Sequence, residues 1–283
     1  MLRRPVLEPV GVACMHLLPR AIREWVARKI VPQLALYPRD SWREVTRQGI
    51  HYRLDISQKI EHALFWGFND RSKERFYRFV EPGWVCADVG TNIGEVSMNL
   101  ASLAGTAGHV FSFEPDPRTF AKLQHNLSLN PHLKVTAMNV GVGEKNETLN
   151  LYQFQEGNDG ANRILRNQTD SSGLPERGKV HIIRLDDVLL HEHHIGKLNL
   201  IKIDVEGFEH EVLKGAMALL TKFKPRLVIE VIDRNLKING SSAVQLFAWI
   251  EALGYKIERL DDGKPLSAES PLDNCVMDIY CSV

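Results

Sequence analysis

The sequence has little cysteine and no excess of either charge. Four cysteines are spread over 283 residues without a C-x-x-C pair, which excludes a disulfide-stapled scaffold and predicts reduced, mostly buried thiols in a cytoplasmic protein. The 35 Lys and Arg side chains balance the 35 Asp and Glu side chains. This balance argues against a nucleic-acid partner, because proteins that bind nucleic acid usually carry a strongly basic domain or stripe.

Long apolar runs are also absent. No window reaches the roughly 18 uninterrupted apolar residues that a membrane-spanning helix needs. The apolar patch at residues 10–15 is not followed by a small-residue cleavage site, so we expect no signal peptide. The first 53 residues, however, carry ten basic against four acidic side chains, which favours either a solvated basic region or a weak contact with an acidic polymer or membrane surface.

What is present is a regular alternation of apolar strands and helices from about residue 84 onwards. This pattern is typical of an α/β fold with a doubly wound, mostly parallel sheet, whose ligand lies at the carboxyl ends of the strands. We therefore predict a basic helical or extended segment at residues 1–69 and an α/β domain at 70–283. Within the first segment, helical spacing of apolar residues predicts a helix at 20–31.

Two helix starts in the α/β domain carry capping signals. Asn92 is predicted to cap a helix that runs to about Ala104, with Glu95 completing a capping box. Asp116 is predicted to cap the next helix, with Pro117 at its first position.

Residues 152–180 interrupt the alternation. Polar residues and glycines cluster there without periodicity, and a long polar excursion inside a compact α/β domain is more often functional or disordered than neutral. We interpret this excursion as a candidate substrate lid.

A glycine-containing turn follows the first strand of the α/β domain. Gly90 and Gly94 let the backbone approach a ligand closely, and the middle glycine of the dinucleotide fingerprint is missing. Asp88 would repel a diphosphate but attract a cationic amino-acid group. Glu114 follows the second strand, where a carboxylate can accept hydrogen bonds from both hydroxyls of an adenosine ribose. The alternatives are a tight structural turn and a solvated or helix-capping acid.

Three carboxylates are predicted to meet at this edge of the sheet. Asp204 and Glu206 follow the fourth strand and Glu230 lies at the end of the fifth. Their repulsion should raise the pKa of at least one of them, which suits that group to accept a proton, and Lys202 can pair with Asp204. An internal salt-bridge network is the alternative. We predict no metal site, because the histidines at 191–194 lack matching ligands at useful spacing and no histidine at matching spacing accompanies the three carboxylates. A divalent metal held by these carboxylates is the alternative.

Taken together, several motifs resemble the FkbM family of S-adenosylmethionine-dependent methyltransferases over about residues 80–232. The motifs that carry the resemblance lie at 88–94, 113–117, 123–130, 201–209 and 213–216. The family implies a class I methyltransferase fold, with a seven-stranded sheet whose last strand is antiparallel. It also implies S-adenosylmethionine as cofactor and O-methylation, often of sugar or polyketide hydroxyls.

The resemblance also assigns the cofactor-binding residues. The methionine portion of the cofactor is assigned to Asp88, Gly90, Asn92 and Gly94, with Thr91 in the same turn. Glu114 is assigned to the ribose, and Asn139 to Gly141 would border the adenine.

We therefore expect an O-methyltransferase that acts on a glycan or glycosylated natural product. An aliphatic hydroxyl is a poor nucleophile until its proton is taken, so Asp204 is the first candidate for a base, with Glu206 or Glu230 positioning the acceptor. A nicotinamide-dependent oxidoreductase is the second enzyme hypothesis, against which the missing glycine and Asp88 both count. A non-catalytic interaction module is the third, and three clustered carboxylates argue against it.

Overall fold

The computed structural model describes residues 31–68, 71–165 and 173–283. Apart from its last residue, the helix predicted at 20–31 lies outside this part of the chain, as does most of the basic N-terminal region. The chain forms two compact units, residues 1–70 and residues 71–283.

The first unit contains a hairpin and a short helix. Strands β1 (Trp42–Arg47) and β2 (Ile50–Asp55) are antiparallel, and helix α1 spans Lys59–Trp66. The hairpin turns at Gln48 and Gly49, whose φ angles of 50° and 82° are both positive. A two-residue turn between right-twisted strands requires this conformation.

The second unit contains two sheets. Their strands are β3 (Val85–Val89), β4 (His109–Phe113), β5 (Val135–Met138), β6 (Gly141–Val142), β7 (Glu147–Tyr152), β8 (Arg163–Leu165), β9 (Glu176–Ile183), β10 (Leu200–Ile203), β11 (Arg226–Ile232), β12 (Lys256–Arg259), β13 (Pro265–Leu266) and β14 (Val276–Ser282). The larger sheet has eight strands in the order β13-β12-β14-β11-β10-β3-β4-β5.

The larger sheet confirms the predicted α/β fold, with one correction. Strands β5, β4, β3, β10 and β11 are neighbours in this sheet and run parallel to one another. Strand β14 lies antiparallel between β11 and β12. The predicted seven strands are joined by an eighth, β13, because the chain reverses after β12 at Gly263 (φ 73°) and pairs two residues with that strand. Strand β10 is buried throughout, as expected of a parallel strand covered on both faces.

Helices cover the two faces of this sheet. They are α2 (Arg71–Tyr77), α3 (Glu95–Ala104), α4 (Pro117–Ser128), α5 (Glu209–Lys214), α6 (Met217–Phe223), α7 (Asp233–Ile238) and α8 (Ala243–Ala252). Among the described residues, no helix is both long and apolar enough to cross a lipid bilayer.

The two predicted helix starts have different outcomes. Asp116 caps α4 as predicted, since its carboxylate accepts the N–H of Arg118 at 2.9 Å. The capping box at Asn92 is wrong, because α3 begins only at Glu95. Asn92 has a φ of 53° and lies between Gly90 and Gly94, whose φ angles are 81° and 91°, so this left-handed turn delays the helix.

The excursion at 152–180 contains more regular structure than its polar pattern predicted. It holds β8 and the start of β9, which belong to a four-stranded sheet in the order β6-β9-β7-β8. Residues 166–172 lie outside the described part of the chain. The side chains of Ile164, Val180 and Ile182 are buried together with Phe208, so this smaller sheet has an apolar core of its own.

Candidate active site

The turn after β3 is fixed by main-chain contacts. The N–H groups of Gly90 and Thr91 donate to the carbonyl of Phe113 at 3.0 and 3.1 Å. A Cβ on Gly90 would collide with the carbonyl oxygen of Asp204, and a Cβ on Gly94 would collide with Leu123. Close packing within the protein therefore disfavours a side chain at both positions, and the close approach of a ligand stays a prediction.

Asp88 is fully buried at the base of this turn. One carboxylate oxygen accepts the hydroxyl of Ser97 at 2.6 Å, and the other lies 3.5 Å from the amine of Lys202. Ser97 also shares 2.6 Å hydrogen bonds with Thr91 and Ser112. The side chains of Asp88 and Thr91 thus hold the turn from below.

Glu114 connects the turn to the next strand. Its two oxygens accept the N–H groups of Asn92 at 3.0 Å and Asp116 at 2.9 Å. Burial, opposed by these hydrogen bonds, raises the pKa of Glu114 to about 8. Each carboxylate oxygen can accept more than one hydrogen bond, so the side chain keeps capacity for a hydroxyl donor.

The two residues assigned to the adenine border lie in different surroundings. The side-chain amide of Asn139 donates to the carbonyls of Glu114 and Pro115 at 2.8 and 3.1 Å, which holds the loop after β4. Gly141 is buried in β6, where an added Cβ would lie 2.6 Å from the Cδ1 atom of Ile182. A larger residue at position 141 would therefore have to displace the end of the Ile182 side chain within the smaller sheet.

Lys202 links the glycine turn to the candidate base. Its amine lies 3.2 Å from Asp204 and 3.5 Å from Asp88, and donates to the carbonyl of Gly90 at 3.1 Å. Burial opposes the charge of Lys202, but Asp204 and Asp88 outweigh it and raise the pKa of the amine above its usual value. Asp204 keeps 38% of its side chain exposed, so its carboxylate is within reach of a ligand.

Glu230 lies on β11, the strand next to the one that Asp204 follows. The negative charge of Asp204, burial, and the charges of Glu206 and Asp278 raise the pKa of Glu230 well above its usual value. Glu230 is therefore protonated at neutral pH and donates a hydrogen bond to Asp204. The prediction that one of the three carboxylates has a raised pKa is confirmed at Glu230, and the assignment of Asp204 as the base stays a prediction.

Glu206 occupies a strained position with a φ of 56°. Its carboxylate accepts the side-chain amide of Asn235 at 2.8 Å and lies 3.5 Å from the guanidinium of Arg163. Arg163 also stacks over the ring of Phe154, with its Cζ atom 3.8 Å from the ring centroid. Residues of the excursion are thus brought to the carboxylate cluster.

Two residues of this site were not anticipated. Burial raises the pKa of Glu209 to about 7, although its carboxylate accepts the N–H of Gly207. The sequence did offer a signal for Glu209, because this residue lies in the same motif as Asp204 and Glu206. Arg163 gave none, because it lies in the aperiodic excursion.

The histidine-rich segment lies apart from these carboxylates in the sequence. His191 and Glu192 end a π-helical turn over Asp187–Glu192. Within residues 31–68, 71–165 and 173–283, no group of three His, Cys, Asp or Glu side chains is arranged to hold a metal ion.

Comparisons with known proteins identify the family of this chain. Residues 88–257 match the Methyltransferase FkbM domain. The hexuronic acid methyltransferase AglP of Haloferax volcanii is 33% identical over 204 residues, which cover 69% of this chain and 74% of that protein. The AMB antimetabolite synthetase AmbE of Pseudomonas aeruginosa is 27% identical over 79% of this chain, which spans only 12% of that protein.

Solved structures show a weaker similarity. The TYW2 protein of Pyrococcus horikoshii, solved in complex with MeSAdo, is 17% identical with a TM-score of 0.47, over 98% of this chain and 84% of that one.

Proposed function

The chain belongs to the FkbM family of methyltransferases, and from that premise we propose that it transfers a methyl group from S-adenosylmethionine to a hydroxyl of a sugar, glycan or glycosylated natural product. The observation that carries the proposal is the contact between the backbones of Gly90 and Asp204. It sets a partly exposed carboxylate directly beside the turn that the family uses for its cofactor.

The residues of this turn fit the proposed cofactor. Glu114 keeps acceptor capacity for ribose hydroxyls at the end of β4, and Asn92 and Gly94 hold the turn open in a left-handed conformation. Asp88 and Asp204 place negative charge where a cationic amino acid and a sulfonium would be attracted, and Lys202 neutralises only part of it. When bound, the cofactor supplies an electrophilic methyl group on a positively charged sulfur.

The chain's own residues supply position and a proton acceptor. When a hydroxyl oxygen takes a methyl group in place of its proton, a carboxylate oxygen of Asp204 would accept that proton. Lys202 holds Asp204 in place from below, and protonated Glu230 donates to it from the side. Holding the acceptor oxygen in line with the methyl can supply an effective molarity of about 10⁵ M or more.

Two observations support a hydroxyl acceptor, namely the hydrogen-bonding character of the carboxyl cluster and the name of one relative. Asp204 and Glu206 accept hydrogen bonds whereas Glu230 donates one, and a polyhydroxylated ring offers both donors and acceptors. AglP is named for hexuronic acid, which suits a carbohydrate acceptor. We place the reaction in the cytoplasm, where the unpaired thiols of Cys86 and Cys281 would stay reduced.

Methyl transfer to a panel of glycosides tests this proposal. Purified protein is incubated with S-adenosylmethionine labelled in its methyl group and with methyl glucoside, methyl glucuronoside and polyketide glycosides, and products are assigned by NMR. We expect an O-methyl product, and a loss of about a hundredfold or more in kcat for Asp204→Asn when S-adenosylmethionine is saturating. Asp273→Asn, in an exposed acid that pairs with Lys237, is the matched control. Methyl transfer only to nitrogen or carbon atoms would overturn the proposed O-methylation, and full activity of Asp204→Asn would overturn the role of Asp204 as base.

A further inference from the structure

Two adjacent residues of the excursion reach opposite sides of the glycine turn. The side-chain amide of Asn162 donates to Asp116 at 2.9 Å, in the loop after β4. The guanidinium of Arg163 lies 3.5 Å from Glu206, in the loop after β10. Strands β4 and β10 are the two neighbours of β3 in the sheet.

This pair of contacts defines a path across the sheet edge. Neighbouring strands lie about 4.8 Å apart, so the ends of β4 and β10 are separated by roughly 10 Å. The side chains of Asn162 and Arg163 together bridge this gap, and β3 with its turn lies between the two strands whose loops they contact. We call residues 159–163 the strap.

The strap is held by a second set of charges, which are largely buried. Arg177 on β9 pairs with Asp159 and lies 3.8 Å from Asp116, with only 10% of its side chain exposed. Lys122 on α4 lies 3.5 Å from Asp159. Removing one member of such a buried set leaves the others without compensation, so the charges fix the strap to the start of α4.

We propose that the strap closes over the turn after β3 once the cofactor is bound there, and that Arg177 is the positioning residue that holds it closed. This inference rests on the proposed function, because it takes the turn after β3 as the cofactor site. If the strap covers that turn, the cofactor enters and leaves only when the strap has moved. Its anchors then control the rates of exchange more than the affinity.

Stopped-flow binding of S-adenosylhomocysteine tests the proposal without an identified acceptor. For Arg177→Gln we expect both the association and the dissociation rate constants to rise at least threefold, with a smaller change in Kd than in either rate. Asn162→Ala removes a single hydrogen bond and should act in the same direction if Arg177→Gln does not fold. Arg259→Gln, which breaks an Arg–Asp pair at the turn between β12 and β13, is the control and should leave both rates unchanged.

The outcomes separate the strap from the cofactor assignment. If the wild-type protein binds S-adenosylhomocysteine and both strap variants, folded, keep wild-type rate constants, the strap proposal is overturned alone. A variant with a lower Tm but unchanged rates also overturns it, because the anchor then has a purely structural role. If the wild-type protein binds no S-adenosylhomocysteine, the proposed function fails and the strap proposal fails with it.

Discussion

The main chain of Gly90 passes so close to the carbonyl oxygen of Asp204 that no Cβ fits between them. The turn after β3 and the loop after β10 are therefore in direct contact, and Lys202 bridges them from below with bonds to both. The position of the candidate base thus depends on the conformation of the cofactor turn.

Gly90→Ala should be far more destabilising than other glycine substitutions at similar φ. The added methyl group collides with main-chain atoms, which cannot rotate away, and the left-handed φ of 81° adds strain. We expect a loss of about 3 kcal/mol or more in the free energy of unfolding. Gly254→Ala is the control, since Gly254 has a φ of 87° and open space around it, and it should cost only about 1–2 kcal/mol. Equal losses in urea denaturation would refute this explanation.

Cofactor affinity should rise with pH through the titration of Glu114. Because burial raises the pKa of Glu114 to about 8, its carboxyl is mostly protonated at pH 7 and mostly ionised at pH 9. Ribose hydroxyls bind the ionised form better, so the Kd of S-adenosylhomocysteine should fall about tenfold between these values. Glu114→Gln should abolish this part of the pH dependence. An identical pH profile in that variant would show that another group is responsible.

Glu230→Gln should stabilise the protein at neutral and alkaline pH. Asp204, burial and Glu206 raise the pKa of Glu230 in the folded state, whereas the unfolded chain titrates near 4.3. Above that pH the unfolded state releases a proton that the folded state keeps, so this group weakens folding as pH rises. Relative to wild type, Tm should be unchanged near pH 4 and higher by about 2 °C or more at pH 8. Glu258→Gln, on β12 and 3.6 Å from Arg75, is the control, and a gain that does not grow with pH would contradict the assignment.

Glu230→Gln should lower the catalytic rate far less than Asp204→Asn does. Glutamine keeps a hydrogen-bond donor at position 230, which is what protonated Glu230 supplies to Asp204. We expect Glu230→Gln to retain kcat within about tenfold and Glu230→Ala to lose more. Steady-state rates with the glycoside found in the acceptor panel would decide this. A loss in Glu230→Gln as large as that in Asp204→Asn would identify Glu230 as the base.

The sequence predicted the features that depend on local chemistry. The α/β alternation, the Asp116 cap and the meeting of Asp204 with Glu230 all follow from apolar periodicity, cap residues and the geometry of parallel strands. The cap at Asn92 failed because two flanking glycines permit a left-handed turn that a helix-start pattern does not reveal.

Features set by long-range packing were beyond the sequence pattern. The eighth strand is two residues long, too short for any periodicity. Arg163 lies beside Glu206, and ion pairs of Arg177 with Asp159 and Asp116 anchor the rest of the excursion. These partners are distant in sequence, and Asp159, Arg163 and Arg177 lie in a stretch without regular spacing, so no local signal could join them.

Calorimetric titration of S-adenosylhomocysteine into the purified protein is the sharpest test of the proposed cofactor site, with Glu114→Ala, the exposed-acid control Glu269→Ala and an NADH titration in parallel. We expect micromolar binding that Glu114→Ala weakens at least tenfold, about 1.4 kcal/mol, unchanged binding in Glu269→Ala and no binding of NADH. Binding of NADH in place of S-adenosylhomocysteine would refute methyl transfer and would favour the hypothesis of a nicotinamide-dependent oxidoreductase.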